Sequence, residues 1–195
     1  MPSLLGRIVF EEPYRNPDAL RGLDGFSHLW LIFDFSKAHR EQWSPTVRPP
    51  RLGGNTRIGV FASRSPFRPN PIGLSVVKLE RIEAGELVVS GVDLLDGTPI
   101  YDIKPYLPFA DSVPDAVGGY AEAFEEYRLE VTFPEHLLAR LAPDKRQAAV
   151  ECLAQDPRPA YQEEGRQYSM AFAGVDIRFF VKDRHLTVTD VEERE

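Results

Sequence analysis

Proline and glycine set the first limit on what this chain can fold into. Its 195 residues include 17 Pro and 14 Gly, above the usual combined share of roughly 12%, and most of them precede Gly119. Proline removes a backbone donor and breaks helix interiors, so a stretch punctuated this often cannot hold long helices. Short strands joined by tight turns remain. Leu29–Phe35 and Arg57–Ser63 are aromatic and β-branched runs of strand length. Leu74–Ile82 and Glu86–Leu95 predict a hairpin whose three-residue loop, Glu83-Ala84-Gly85, uses Gly85 for a positive φ. Asp18–Leu23 reads as a helix. So does Pro134–Gln155, where Leu137, Leu138, Leu141, Ala148, Ala149 and Cys152 recur at helical spacing and Pro143 interrupts. The tail returns to strands at Tyr168–Phe172, Val175–Lys182 and His185–Val191, the last two flanking a two-residue turn, Asp183-Arg184. The expected fold class is therefore mainly β with an α+β C-terminal part. A composition shift around Gly118 to Glu126 divides it into domains at 1–125 and 126–195.

Several function classes are excluded early. The lone Cys152 cannot form an internal disulfide, and His28, His39, His136 and His185 lack metal-ligand spacing, so no metal is expected. Met1–Arg7 is no leader peptide, and no apolar run approaches a membrane span. The expectation is a cytoplasmic protein without membrane contact.

Charge is segregated. Between Gln42 and Leu79 there is no acidic residue, while Arg48, Arg51, Arg57, Arg64, Arg68 and Lys78 add six positive charges to a chain of net charge −7. Arginine joins a permanent charge to a planar fork that fits phosphate, which makes this segment a candidate polyanion site. Pairing of the same arginines with carboxylates elsewhere in the fold explains them equally well. Prolines hold the intervening loops rigid, so ordering them on binding costs little. Trp43 and Phe67 lie beside the arginines. They can stack an unpaired RNA base or cap the core beneath the loops, and core capping is the preferred reading of Trp43. Asn70-Pro71 resembles the Asn-Pro turn with which some adenine amino-methyltransferases accept a hydrogen bond from the target amine, although such a dipeptide is more often only a turn.

Asp93, Asp96 and Asp102 then place three carboxylates close in sequence. Acid/base work, a divalent metal, or hydrogen bonding to a small polar ligand would each use them, and the last is preferred because the spacing fits no calcium loop. Lys104 is a ready counter-charge for Asp93.

The stretches Asp18-x-x-x-Gly22-Leu23-x-x-Phe26-Ser27-His28-Leu29-Trp30, Arg48-Pro49-Pro50-Arg51-Leu52-Gly53-Gly54-Asn55, Arg64-Ser65-x-x-Arg68-Pro69-Asn70-Pro71-Ile72-Gly73 and Asp93-Leu94-Leu95-Asp96-Gly97-Thr98-Pro99 through Tyr106 resemble the TsaA/TrmO-like tRNA methyltransferases. Gln155-Asp156-Pro157-Arg158-Pro159-Ala160-Tyr161 resembles the signature of that family's second domain. The resemblance implies a small β-barrel that binds S-adenosylmethionine outside any Rossmann fold, as a homodimer, with the C-terminal domain helping to hold tRNA. It implies methylation of N6 of threonylcarbamoyladenosine beside the anticodon. Carried over residue by residue, the cofactor contacts are Ser36, Lys37, Arg64, Leu74, Ser90, Gly91, Val92 and Asp93. Arg48, Arg51, Arg57, Arg68, Lys104 and Arg158 are the expected RNA contacts. Asp93, Asn70 and Tyr106 are the candidates, by residue type, for the group that accepts a hydrogen bond from N6. Ser36-Lys37 stands where relatives often have a histidine-containing pair. Relatives also begin with a strand running into a Pro-Arg-Gln turn at the cofactor, and Met1-Pro2-Ser3-Leu4 corresponds to a point just after it, so weak cofactor binding is expected. Alternatives are a non-catalytic RNA- or nucleotide-binding barrel and a protein-interaction module.

Overall fold

The computed structural model describes residues 4–49, 56–158 and 165–194. They group into two compact units, one of residues 1–47 and 58–116, the other of residues 48–57 and 117–195.

The first unit is built on a five-stranded antiparallel sheet in the order β1-β6-β5-β2-β7. Its strands are β1 (Leu5–Ile8), β2 (His28–Asp34), β5 (Ile72–Glu83), β6 (Glu86–Ser90) and β7 (Ile100–Pro105), and a two-stranded ribbon pairs β3 (Thr46–Val47) with β4 (Ile58–Gly59). Alternation along β2, which lies between β5 and the edge strand β7, supplies much of the core: Leu29, Leu31 and Phe33 are buried, joined by Ile8, Val77, Leu87 and Val89. The expected hairpin is present, with a tighter turn than the sequence suggested. Glu83 pairs with Glu86, leaving a two-residue turn of Ala84 and Gly85, both at positive φ.

Three expectations need correction. The sheet is not a closed barrel: among the described residues β1 and β7 are its edges. All four residues of β1 are spent on β6, and the chain then leaves the strand for a 3-10 turn at Glu12–Tyr14. Bulges at Leu79/Arg81 and Ile32/Phe33 bend the sheet without joining its edges. Second, Arg57–Ser63 yields only the two residues of β4 before a 3-10 turn at Val60–Ala62. Third, Asp18–Leu23 is no α-helix; 3-10 turns occupy Pro17–Leu20 and Leu23–Gly25.

The second unit packs helices on a sheet of order β8-β11-β10-β9. Here β9 (Gln167–Phe172), β10 (Val175–Lys182) and β11 (His185–Glu193) form an antiparallel meander, and β8 (Glu130–Thr132) runs parallel to β11. Asp183 and Arg184 make the foreseen two-residue turn, both at positive φ. The helical segment is broken as Pro143 predicts, into α2 (Glu135–Leu138) and α3 (Arg146–Ala154), following α1 (Pro108–Asp111) in the first unit. Leu137, Leu141, Ala149 and Leu153 bury against Ile177, Phe179, Leu186 and Val188. No helix among the described residues is long and apolar enough to cross a membrane.

Candidate functional site

Strand pairing in the first unit arranges the expected contact residues in two rows across the sheet. One row runs Ser90–Lys78–His28, and Tyr106 continues it by donating its amide to the His28 carbonyl at 3.0 Å. The other runs Ile72–Asp34, beside Ile100 and Tyr101. Six residues of β2 separate the rows, about 20 Å at strand rise.

The Asp34 row gathers most of the groups that can meet a ligand. Ser36, Lys37 and His39 follow β2 directly, on a turn closed by the Ala38 amide on the Phe35 carbonyl at 2.7 Å. The Phe35 amide donates to the Pro71 carbonyl at 2.7 Å, which fastens the Asn70-Pro71 turn beside this end of β2. Arg64 lies on the loop leading into that turn, and Leu74 pairs with Ile32. Ser36, Lys37, Arg64, Asn70 and Leu74 are all exposed. Leu74 keeps 55% of its surface open, unusual for a leucine in a paired strand, and Ile72 and Val76 beside it share the exposed face.

At this end Asp34 accepts from His39 Nε2 through both oxygens, at 2.8 and 2.9 Å. Asp34 is nearly buried and His39 is not. Desolvation, then the charge of Asp34, raises the Tyr101 phenol above its ordinary range. Sequence reasoning singles out neither His39 nor Asp34 for the site. The Asp-x4-His spacing is visible, but a lone histidine in a polar loop carries no signal until the turn folds it back.

The other row is less open. The Ser90 hydroxyl is buried and donates to Glu80 at 2.6 Å; that bond, then Lys78, lowers the Glu80 pKa. Gly91 has φ +80°, and Val92 packs 3.1 Å from where a Cβ on Gly6 would lie. Asp93 is exposed. It forms no ion pair with Lys104, which bonds Asp102 at 2.8 Å and, with the Ile103 amide, lowers that carboxyl. The segment from Gly91 leads to the Asp34 row, where the Pro99 carbonyl accepts the Asp34 amide at 3.0 Å. Of the three candidate acceptors, Asn70 therefore lies by Asp34, Tyr106 packs on Trp30 at the opposite end of β2, and Asp93 is on the segment linking the ends.

The expected RNA contacts also separate. Arg48 and Arg57 are exposed, and Arg51 lies outside the described residues. Arg68 is half-buried and donates to the Ser63 carbonyl at 3.1 Å. Arg158 is buried in a two-pronged pair with Asp156, at 2.7 Å for each bond, which occupies the fork a phosphate would need. Trp43 does not cap the core. It is half-exposed and lies tilted at 6.2 Å from Phe61, itself exposed, while Arg40 lies 3.9 Å over Phe67. No cluster of metal-ligating side chains occurs among the described residues. A broad cleft of about 1080 Å³ lies between the 3-10 turns and the β5–β6 hairpin, lined by Phe10, Arg15, Leu20, Glu80 and Arg81 and by none of the candidate cofactor contacts.

This donor set suits a small zwitterionic ligand with an apolar body. Lys37 and Arg64 are open cations for a carboxylate, Asp93 is an open carboxylate for an ammonium or hydroxyls, and Leu74 offers bare apolar surface.

Residues 1–112 match the tRNA-methyltransferase O N-terminal domain, and residues 126–194 match the TrmO C-terminal domain. The chain is 45% identical, over 98% of its own length and 87% of the relative's, to a tRNA (adenine(37)-N6)-methyltransferase of Escherichia coli (strain K12). A Pseudomonas aeruginosa protein named as a putative S-adenosylmethionine-dependent methyltransferase is 46% identical over 91% of this chain and 80% of that protein. A crystal structure of TrmO from Pseudomonas aeruginosa superposes with a TM-score of 0.77 at 38% identity, covering 99% of this chain and 85% of that one. By both of its halves, the chain belongs to the tRNA-methyltransferase O (TrmO) family.

Proposed function

We propose that this protein transfers a methyl group from S-adenosylmethionine to N6 of an adenine in tRNA, and that the adenine is threonylcarbamoyladenosine beside the anticodon. The near full-length match to the E. coli tRNA (adenine(37)-N6)-methyltransferase carries the reading. The open donor set at the Asp34 end of β2 supports it. The cofactor-binding part is residues 1–125, and residues 126–195 assist in holding tRNA; the protein acts in the cytoplasm as a homodimer.

S-adenosylmethionine supplies an activated methyl on a sulfonium. Lys37 and Arg64 hold the carboxylate of its amino-acid end, Asp93 accepts from its polar hydrogens, and Leu74 covers an apolar face. Because the sulfonium loses its charge in an in-line displacement, the protein needs no oxyanion-type stabiliser and works mainly by alignment. Asn70 accepts a hydrogen bond from the N6–H, which offsets delocalisation of the nitrogen lone pair. The exposed Trp43 and Phe67 rings give an unstacked loop base a surface to lie on. Anticodon-loop bases leave their stack cheaply.

Calorimetric titration of S-adenosylmethionine into the protein, followed by tRNA titrations at rising salt, tests the reading. Saturable cofactor binding and tRNA affinity that falls steeply with salt are expected. Absence of cofactor binding would leave a non-catalytic RNA-binding protein, and absence of both would leave a protein-interaction module.

A further inference from the structure

Methylation of N6 releases a proton, and among the residues expected at the cofactor only Asp93 could take it, a carboxylate already assigned to the polar hydrogens of the cofactor. Asn70 offers an amide, which accepts a hydrogen bond but does not hold a proton near neutral pH. Lys37 and Arg64 enter already charged. Tyr106 packs on Trp30 and His28 at the far end of β2.

The Asp34–His39 pair is built for the task. Asp34 is the last residue of β2, paired with Ile72 and nearly withdrawn from solvent, so its position is fixed by the sheet. The turn at Ser36–Ala38 folds His39 back until its Nε2 lies 2.8 and 2.9 Å from the two carboxylate oxygens. A nitrogen facing a carboxylate this closely carries the hydrogen, which leaves Nδ1 of the neutral ring as a free acceptor. The His39 side chain is 57% exposed, so Nδ1 is accessible. Tyr101, whose phenol is raised by desolvation and then by the charge of Asp34, keeps its own proton. This constellation adjoins Ser36, Lys37 and the Asn70-Pro71 turn, which the Phe35 amide ties to the same strand end.

We propose that His39 is the general base of the methyl transfer, and that Asp34 positions it. The inference rests on the methyl-transfer reading above. The N6 lone pair forms the new N–C bond as the C–S bond breaks, and the electron pair of that bond stays on sulfur as a neutral thioether. The single proton on N6, which Asn70 holds by a hydrogen bond before the reaction, passes to Nδ1 of His39 as the N–C bond forms. The resulting imidazolium is paired with the Asp34 carboxylate and releases its proton to water after the product leaves. The orientation is that of a serine-protease histidine with its two nitrogens exchanged: here the carboxylate holds Nε2 and Nδ1 does the chemistry.

The test has an arm independent of turnover. Nitrogen NMR of the free protein should show the neutral His39 ring with its hydrogen on Nε2, and Asp34→Asn should shift that tautomer; a ring protonated on Nδ1 would overturn the assignment. In the second arm, His39→Ala and His39→Gln should lower kcat about 100-fold or more, with KM for both substrates within a factor of about three and the melting temperature unchanged. Added imidazole should restore part of the turnover of His39→Ala, and Asp34→Asn should lower kcat without raising KM. A His39→Ala enzyme with near wild-type kcat would overturn the proposal alone. An inactive wild-type protein would overturn the methyl-transfer reading and this proposal with it.

Discussion

Asp156, Arg158 and Asp93 show how a residue's surroundings decide its role where its type cannot. The family resemblance makes Arg158 an expected RNA contact. Folded, Asp156 and Arg158 are both under a tenth exposed, and the Tyr127 hydroxyl donates a third hydrogen bond, 3.0 Å, to Asp156. Burial alone would raise the Asp156 carboxyl; the Arg158 fork and Tyr127 outweigh it, so the pKa lies below the usual carboxylate value. A carboxyl depressed in the folded state stabilises above its unfolded pKa and loses that contribution as pH falls through the folded one. This triad should therefore hold at neutral pH and fail only on strong acidification. Arg158→Ala strands a buried charge, and urea unfolding should show a loss of about 3 kcal/mol. Its tRNA affinity, measured where the variant is folded, should be unchanged.

Asp93 is the reverse case. It is exposed, and the ion pair that would have explained it structurally belongs to Asp102 and Lys104. Asp93→Asn should weaken S-adenosylmethionine binding in a calorimeter while the melting temperature stays put. A lower melting temperature with normal binding would assign Asp93 a structural role.

Among elements, legibility follows periodicity and turn chemistry. The hairpin of β5 and β6, the meander of β9 to β11 and the helix break at Pro143 are all readable, because alternation and turn residues determine them locally. Two strands are not. β1 is four residues long, too short for alternation to register, and it exists because β6 offers it an edge. β7 lacks regular alternation, its isoleucines standing three residues apart, and Ile100 and Ile103 pack, partly buried, against the core where the strand pairs with β2. The 3-10 turns replace a helix for a related reason, since Pro17 and Gly22, the latter at φ +81°, leave too little chain for a helical nucleus. At the site, Ser36, Lys37 and Asn70 are legible as motif residues, whereas the meeting of Asp34 with His39 depends on a turn.

One glycine measures how tightly β2 and β5 are joined. A Cβ on Gly73 would lie 2.2 Å from the Phe33 ring, and Phe33 is 4% exposed in the core. Gly73→Ala should cost about 1 to 3 kcal/mol through overpacking, read as a lower melting temperature. Adding Phe33→Leu should recover part of it, a coupling visible in a double-mutant cycle. Additive losses would show that the two positions do not press on each other.

For the molecule as a whole the net charge is −7, and the acid-free window from Gln42 to Leu79 is where a polyanion would meet least repulsion. Arg48, Arg57 and Arg64 are exposed along it. tRNA affinity should fall log-linearly with salt, and replacing these three arginines with alanine should flatten the slope by about one unit for each phosphate they neutralise. An unchanged slope would place the RNA elsewhere on the protein.

Methyl transfer to N6 is read most directly by mass spectrometry of nucleosides. The protein is incubated with S-adenosylmethionine and threonylcarbamoylated tRNA, the RNA is digested, and the modified adenosine is weighed and fragmented. Threonylcarbamoyladenosine should gain one methyl group on N6, in proportion to enzyme and time. A nucleoside pool left unchanged by protein that binds both substrates would contradict it.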